Sequence, residues 1–187
     1  MVDKEKDFKY FLETLINATS KIEEHYFQLP IAGQKNPRFL ERVYCYELYH
    51  QLRFTLCNQF PYKLNGEVDK NGNPTILQGL GPVKLDFIVH VPRDEDNNLI
   101  VIEVKPITAK LNRIKDDLKK LKGFLEKAKY HKAIMFIYGS DNKNSRNKVK
   151  SIRTEINILS EYSERIILLW HKEPRSKAEV INHVRPA

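Results

Sequence analysis

A glutamate and a lysine interrupt an apolar, strand-like run, Ile100-Val101-Ile102-Glu103-Val104-Lys105. Side chains alternate between the two faces of a β-strand, so Glu103 and Lys105 point to one face and Val104 points to the other. A second apolar run, residues 83–89, contains a single acid, Asp86. Charged groups are costly in apolar surroundings unless they are paired or bind a ligand. These three residues are therefore the first candidates for chemistry.

The segment between the two runs predicts how they pair. Arg93-Asp94-Glu95-Asp96 has the composition of a polar hairpin turn. Antiparallel pairing across this turn joins residues whose numbers add to 189, which places Asp86 opposite Glu103. Their Cβ atoms would lie about 5 Å apart, so one carboxyl group should protonate or a cation should lie between them. Two carboxylates with water suit Mg²⁺ or Mn²⁺, whereas the 6 histidines are too scattered for zinc.

An Asp on one strand followed by Glu-x-Lys on the next, here Asp86 and Glu103-Val104-Lys105, resembles the motif of the PD-(D/E)XK nuclease superfamily. The order of elements over residues 38–171 is also similar, although Val83 and Lys84 stand where the motif's name places a proline. The resemblance implies a restriction-endonuclease-like core (α-βββ-α-β) with an extra N-terminal helix. It further implies metal-dependent hydrolysis of phosphodiester bonds, in DNA more than in RNA.

The resemblance also implies a role for each motif residue. Asp86 and Glu103 would hold Mg²⁺ or Mn²⁺, with the backbone carbonyl of Val104 as a further ligand. The metal would polarise the scissile phosphate and lower the pKa of bound water. Lys105 would orient the attacking water or stabilise charge on the phosphorane, and the metal should help to depress its pKa. The structural alternative is a buried ion pair between Glu103 and Lys105, with Asp86 as an edge residue.

The second predicted helix supplies candidates for the glutamate that this family often places on a helix. At 100° per residue, Glu47 lies on the apolar face with Val43 and Tyr44, so we predict Glu47 as the supporting catalytic group. Glu41 lies nearer another face and is the second choice. Either glutamate could instead pair with a nearby arginine or lysine. Glu67, at the end of the first predicted strand, is a third candidate, although an ordinary hairpin-end acid is the favoured interpretation.

Basic residues are concentrated in one part of the chain. Residues 105–153 contain 15 Lys or Arg against 4 Asp or Glu, a charge of +11, whereas the whole chain carries +8. Such a basic face favours nucleic acid, because binding to phosphates releases counterions. The alternative is a lysine-rich helix surface that is only solvated. Candidate phosphate contacts, which would position DNA without reading its sequence, are Lys110, Arg113, Lys120, Lys127, Arg146, Lys150 and Arg153.

The periodicity of the apolar residues predicts the elements that position these groups. Steps of three and four residues are typical of helices, and short apolar runs are typical of strands. We predict helices at residues 5–26, 37–58, 109–129 and 145–159, and strands at 62–68, 83–91, 99–105, 133–138 and 165–171. This order indicates a mixed α/β sheet flanked by helices. We expect one domain, with an N-terminal helix and loop (1–37), a nuclease-like core (38–171) and a tail without clear pattern (172–187).

Composition bears on the cellular compartment. No apolar stretch approaches the roughly 20 residues that span a bilayer, and the N-terminal residues are charged from position 3 onward. The two cysteines, Cys45 and Cys57, form no CxxC pattern, so we expect reduced thiols and a cytoplasmic protein.

Two other functions compete with the nuclease hypothesis. One is a nucleic-acid-binding module whose nuclease-like site is silent, and the other is an interaction subunit that binds an acidic partner through the basic helices. A nuclease with one site per chain would need a homodimer to cut both strands together. Four tyrosines near the second helix could stack on bases, although helix-spaced aromatic residues more often form core: Tyr44, Tyr46, Tyr49 and Tyr62.

Overall fold

A mixed six-stranded β-sheet organises the protein in the computed structural model, which describes residues 3–67 and 84–181. The strands are β1 (Lys63–Gly66), β2 (Phe87–His90), β3 (Asn98–Pro106), β4 (Lys132–Tyr138), β5 (Ile166–His171) and β6 (Glu179–Val180), and their spatial order equals their chain order. β1, β2 and β3 form an antiparallel meander, β4 and β5 continue it in parallel, and β6 is antiparallel. The strands predicted at 62–68 and 83–91 are shorter in the structure, because β1 spans only four residues and β2 begins only at Phe87. Positions 68 and 83 themselves lie outside the described residues.

The β2–β3 hairpin has the predicted register. Phe87 pairs with Ile102 and Val89 pairs with Ile100, and both pairs of numbers add to 189. A bulge after Val89 then shifts the pairing by one residue. The polar segment forms the turn, because the Asp94 carboxylate accepts hydrogen bonds from the backbone N–H groups of the two residues before β3, Asp96 and Asn97. Local turn chemistry thus fixes which residues lie beside each other at the far end of the hairpin.

Helices cover both faces of the sheet. They are α1 (Lys4–Thr19), α2 (Glu24–Phe27), α3 (Glu41–Thr55), α4 (Leu111–Glu126) and α5 (Lys143–Asn157), with a 3₁₀ helix at Ser160–Arg165. Apolar residues of α1 and α3 pack on one face and those of α4 and α5 on the other, so two hydrophobic clusters enclose the sheet. Among the described residues, no helix is both long enough and apolar enough to cross a membrane.

Three predicted helices were too long, since the helix predicted at 109–129 spans only Leu111–Glu126, and one strand was missed. The predicted helix 5–26 ends at Thr19, whose hydroxyl donates to the carbonyl of Ile16 and accepts the N–H of Ala178. The predicted helix 37–58 begins only at Glu41, because Leu29 and Arg38 form a β-bridge instead. The tail without clear pattern contributes β6. The Thr19–Ala178 contact joins residues far apart along the chain, and the Leu29–Arg38 bridge lies outside the helix that it limits, so the periodicity of one segment predicts neither.

Alternation along β3 places the charged pair on one face. Ile102 and Val104 belong to the cluster under α1 and α3, whereas Val101 belongs to the cluster under α4 and α5. Glu103 and Lys105 therefore lie on the α4 side, and both contact residues of α4. The prediction that Glu103 and Lys105 share one face, with Val104 on the other, is confirmed.

Gly139 allows the end of β4 to pass close to the chain after β3. Its φ is +136°, and a Cβ there would lie 2.2 Å from Cγ2 of Ile107. We predict that Gly139→Ala lowers the free energy of unfolding by about 3 kcal/mol, through backbone strain and overpacking together. Gly33 has a φ of +78° but nothing within 4 Å of such a Cβ, so Gly33→Ala should cost only about 1 kcal/mol. Urea unfolding measures both, and equal losses would contradict the role of the close contact.

A buried histidine predicts sensitivity to acid. His171 on β5 is fully buried, its Nδ1 lies 2.8 Å from the Tyr44 hydroxyl, and burial lowers its pKa to about 4. An unfolded histidine takes up a proton near pH 6.5, so between pH 6.5 and 4 the unfolded chain binds more protons than the folded one. Stability should therefore fall by about 3 kcal/mol as the pH falls through this window. His171→Gln should not show this fall when the free energy of unfolding is measured as a function of pH. If the wild type and the variant lose the same stability between pH 6.5 and 4, His171 is not the cause of the fall.

Candidate active site

Four carboxylates surround the ammonium group of Lys105. Lys105 Nζ lies 2.9 Å from Glu41 Oε1, 3.6 Å from Glu103 Oε2, 3.6 Å from Asp117 Oδ2 and 4.0 Å from Asp86 Oδ2. Each carboxylate comes from a different part of the fold: the start of α3, the end of β3, the inner face of α4 and the residue before β2. We call these five residues together with Lys120 the Lys105 cluster.

The β2–β3 pairing carries Asp86 into the cluster. Asp86 directly precedes β2, and its Oδ2 accepts a hydrogen bond from the backbone N–H of Val104 at 2.7 Å. This bond continues the hairpin past its last paired residues and holds the carboxylate beside Glu103. The backbone N–H of Val104 thus has a partner in the site, while the ligand role that the resemblance gives to its carbonyl stays a prediction.

Lys120 is the second cation of the cluster. Its Nζ lies 2.7 Å from Glu103 Oε1 and 2.9 Å from Asp117 Oδ1, and its side chain is 25% exposed. From the sequence, Lys120 is predicted to be one of the phosphate contacts. The structure instead directs its ammonium group inward, because Asp117 one turn earlier and Glu103 on the sheet together offer two carboxylates.

The Lys105 cluster contains more negative than positive charge. Four carboxylates face two ammonium groups, a formal excess of two negative charges. Burial, followed by the charge of Asp86, raises the pKa of Glu103 to about 8, even though Lys120 acts in the opposite direction. Burial likewise raises the pKa of Glu41, although the positive charge of Lys105 acts to lower it. At neutral pH the cluster therefore favours the uptake of a proton or of a further cation.

The pKa of Lys105 shifts in the opposite direction to the predicted one. Burial alone would lower it, but the surrounding carboxylates, Asp86 and Glu103 first, outweigh burial and raise it above its usual range. The predicted depression depended on a neighbouring metal, whose charge would offset the carboxylates. Within this set of groups, Lys105 is a firmly charged ammonium that acts by charge and hydrogen bonding.

The donor chemistry of the cluster fits a hard divalent cation. Its donors are all carboxylate oxygens, which Mg²⁺ and Mn²⁺ prefer, and its excess negative charge would be offset by such an ion. In the described part of the chain, no group of three or more His, Cys, Asp or Glu side chains is arranged, as it stands, so that it could hold a metal ion. The ammonium groups of Lys105 and Lys120 hold the carboxylate oxygens instead. Binding of a cation would thus require carboxylates to turn away from these lysines.

The cluster borders two cavities through which a substrate could approach. One, of about 200 Å³, is lined by Asp86 and Glu103, and the other, of about 380 Å³, is lined by Thr108 and Arg113. Glu41 and Lys105 line both. The cluster is therefore accessible from the surface although Glu103 is only 2% exposed.

No protein-family model, curated protein or solved structure matches this chain significantly. The chemistry of the site must therefore be argued from its own residues.

The helix glutamate of the cluster is Glu41 and not the predicted Glu47. Glu47 accepts a hydrogen bond from Gln51 Nε2 at 2.6 Å, one turn further along α3. Periodicity assigns a residue to a face but does not say which end of the helix meets the strand ends, and Glu41 is the first residue of α3. Glu67 pairs with Lys84 at 2.7 Å and Arg42 at 3.3 Å at the rim of the smaller cavity, and the hydrogen bond from Lys84 lowers its pKa.

Asp117 was missed as a site residue. The sequence analysis gave it no role, but it is a buried acid on the apolar face of α4, beside Ile114 and Leu118. A single charge among apolar residues is the same signal that singled out Glu103, and applied to a helix it would have found Asp117.

The other predicted phosphate contacts lie on and around α4 and α5. Lys110, Arg113, Lys127 and Lys150 are exposed, Arg153 is half-buried, and Arg146 pairs with Asp141 at 2.7 Å. Of these residues, Arg113 lies nearest to the Lys105 cluster, because it lines the larger cavity together with Lys105. Of the four tyrosines considered for base stacking, Tyr44 and Tyr62 are core residues and Tyr49 is half-buried, whereas Tyr46 is 60% exposed.

Proposed function

We propose that the protein is a metal-dependent nuclease of the PD-(D/E)XK type, built on a restriction-endonuclease-like core, that hydrolyses phosphodiester bonds in DNA. One observation carries the proposal. Asp86, Glu103 and Lys105, which the motif requires at one place, converge at the end of two neighbouring strands with excess negative charge around them. A stabilising ion-pair network has no need of four carboxylates for two lysines.

Each residue of the Lys105 cluster would have a separate role in phosphodiester hydrolysis. Asp86 and Glu103 would hold Mg²⁺ or Mn²⁺, which when bound polarises a phosphate and lowers the pKa of water. Lys105 would donate hydrogen bonds to the charge that develops on the phosphoryl oxygens. Glu41 and Asp117 contact Lys105 and would hold its ammonium group in place, and Asp117 also contacts Lys120 on the far side of Glu103.

DNA as the substrate is supported by the basic surface around the cluster. Lys110 and Arg113 are exposed at the start of α4, and Arg113 lines the cavity that contains Lys105. Cations at the mouth of an acidic site would draw in the phosphate backbone and offset the repulsion between DNA and the carboxylates.

A nucleic-acid-binding module with a silent site is the second candidate. The ion pairs that Lys105 and Lys120 make favour it, because they give each of the four carboxylates a cationic neighbour without any ligand. The two functions differ in one respect that can be measured, since only the nuclease breaks phosphodiester bonds.

Cleavage of supercoiled plasmid by the purified protein tests the proposal. We expect nicking with Mg²⁺ or Mn²⁺, none with EDTA, and none by the Asp86→Asn variant. Asparagine keeps an oxygen for the Val104 N–H, so this variant should fold. Asp96→Asn, an exposed change in the β2–β3 turn, is the matched control and should cut like the wild type. Protein that is folded and binds DNA but cuts neither duplex DNA, single-stranded DNA nor RNA would point to the silent module.

A further inference from the structure

A third cavity, of about 340 Å³, lies where the chain leaves β3 and β4 and enters α5. It is lined by Ile107 and Thr108 after β3 and by Asn142, Ser145 and Lys148 at the start of α5. The carboxyl ends of parallel strands are the usual place for ligands in α/β sheets. The proposed nuclease chemistry does not use this cavity.

Lys148 brings an unbalanced positive charge to the cavity. Its side chain is partly buried, and its Nζ donates to the backbone carbonyl of Ile107 at 2.7 Å. Among the described residues, no carboxylate lies within ion-pair distance of this ammonium group. Burial lowers the pKa of Lys148, as expected for a cation without a counter-charge. Buried charges are normally paired, so an anion in the cavity would supply what the protein does not.

Ser145 adds a free hydrogen-bond donor to the same wall. It is only 5% exposed, and its hydroxyl makes no hydrogen bond to any residue within 3–67 or 84–181. Its backbone N–H, by contrast, donates to the side chain of Asn142, which caps α5. The first turn of α5 contains no acidic residue, and Asp141, which precedes the Asn142 cap, pairs with Arg146, so the N–H groups at the start of the helix can still face an anion in the cavity. A hydroxyl that lines a cavity without a protein partner is free to donate a hydrogen bond to a ligand in that cavity.

The cavity adjoins one of the two cavities that border the Lys105 cluster. Thr108 lines both this cavity and the 380 Å³ cavity that Lys105 and Arg113 share. An extended DNA strand that lies across the Lys105 cluster could thus pass Thr108 and reach the start of α5. Arg113 and Lys148 would then lie beside it as cations.

We propose that this cavity binds a backbone phosphate of the DNA strand that crosses the Lys105 cluster, with the Ser145 hydroxyl and the Lys148 ammonium group as donors. The identity of the ligand as substrate rests on the proposed function. The contact would fix the register of the strand on the protein and would not distinguish between bases.

Binding of short fluorescent DNA duplexes in EDTA, measured by anisotropy over a range of KCl concentrations, tests this proposal without requiring cleavage. Ser145→Ala should weaken binding about tenfold, because a hydrogen bond to a charged phosphate is lost. It breaks no hydrogen bond within the described residues, so its urea unfolding midpoint should not change. Lys148→Gln should lower the slope of log affinity against log salt by about 0.9, the contribution of one phosphate contact in duplex DNA.

Two matched controls isolate the cavity. Ser151→Ala lies on the same helix, but its exposed hydroxyl donates to the carbonyl of Asn147 within the helix. Lys9→Gln removes one exposed positive charge from α1. Neither should alter the affinity or its salt dependence.

The outcomes separate this proposal from the nuclease. Unchanged affinity and salt slope in Ser145→Ala and Lys148→Gln would overturn the phosphate site, even if the wild type cuts plasmid. Weaker binding by both variants would support the phosphate site, even if no cleavage occurs with Mg²⁺ or Mn²⁺ and the nuclease proposal fails.

Discussion

We expect Lys105→Arg to fold normally and yet to cut DNA about 100- to 1000-fold more slowly than the wild type, the usual cost of losing one electrostatic donor. Arginine keeps the positive charge that four carboxylates require, so the fold is not left with an unpaired set of acids. The guanidinium group, however, is planar and larger than the compact ammonium group. Because the Lys105 side chain is only 13% exposed, an arginine there cannot place a donor at the same position.

Steady-state cleavage of a labelled duplex measures the effect, with urea unfolding as the check on folding. A donor that acts on the transition state should lower kcat and leave KM nearly unchanged. Lys63→Arg, an exposed change on β1, is the matched control and should cut at the wild-type rate. Wild-type cleavage by a folded Lys105→Arg protein would show that Lys105 only balances charge.

The sequence was sufficient to predict the motif residues because their positions depend on local rules. The alternation of side chains along β3 places Glu103 and Lys105 on one face, and the turn chemistry of Asp94 sets the register that places Asp86 beside Glu103. Both rules act over a few residues and depend little on the rest of the fold. For this reason three charged residues within apolar runs were sufficient to indicate the site.

The remaining members of the Lys105 cluster depend on how elements pack together, which periodicity does not describe. Glu41 enters because the first residue of α3 lies at the end of β3, and the choice of Glu47 considered only the helix face. Lys120 turns inward because Glu103 lies opposite it on the sheet. The helix ends at Thr19 and Glu41 likewise depend on distant partners, namely Ala178 and the Leu29–Arg38 bridge.

Glu103→Gln should stabilise the protein at alkaline pH while removing its response to metal. The folded-state pKa of Glu103, about 8, lies above the ordinary value of 4.5. Between these values the folded chain binds more protons than the unfolded chain, so wild-type stability should fall by about 3 kcal/mol as the pH rises from 5 to 8. Glutamine cannot ionise, and Lys120 keeps Asp117 as a partner at 2.9 Å. The variant should therefore be the more stable protein at pH 8 in EDTA.

Addition of Mg²⁺ should reverse this order. A cation bound to the cluster replaces the missing positive charge, so the wild type should gain stability at pH 8 as the metal concentration rises, and the variant should gain little. Urea unfolding at pH 5 and pH 8, with Mg²⁺ or EDTA, measures all four combinations. Glu155→Gln is the control, because it removes an ion pair of 2.8 Å between Lys115 on α4 and Glu155 on α5. It should lower the free energy of unfolding by less than about 1 kcal/mol at either pH, with or without metal.

If Glu103→Gln is instead less stable than the wild type at pH 8 in EDTA, the ion pair with Lys120 outweighs the repulsion among the carboxylates. The cluster would then be a structural network, and the case for a metal site would fail.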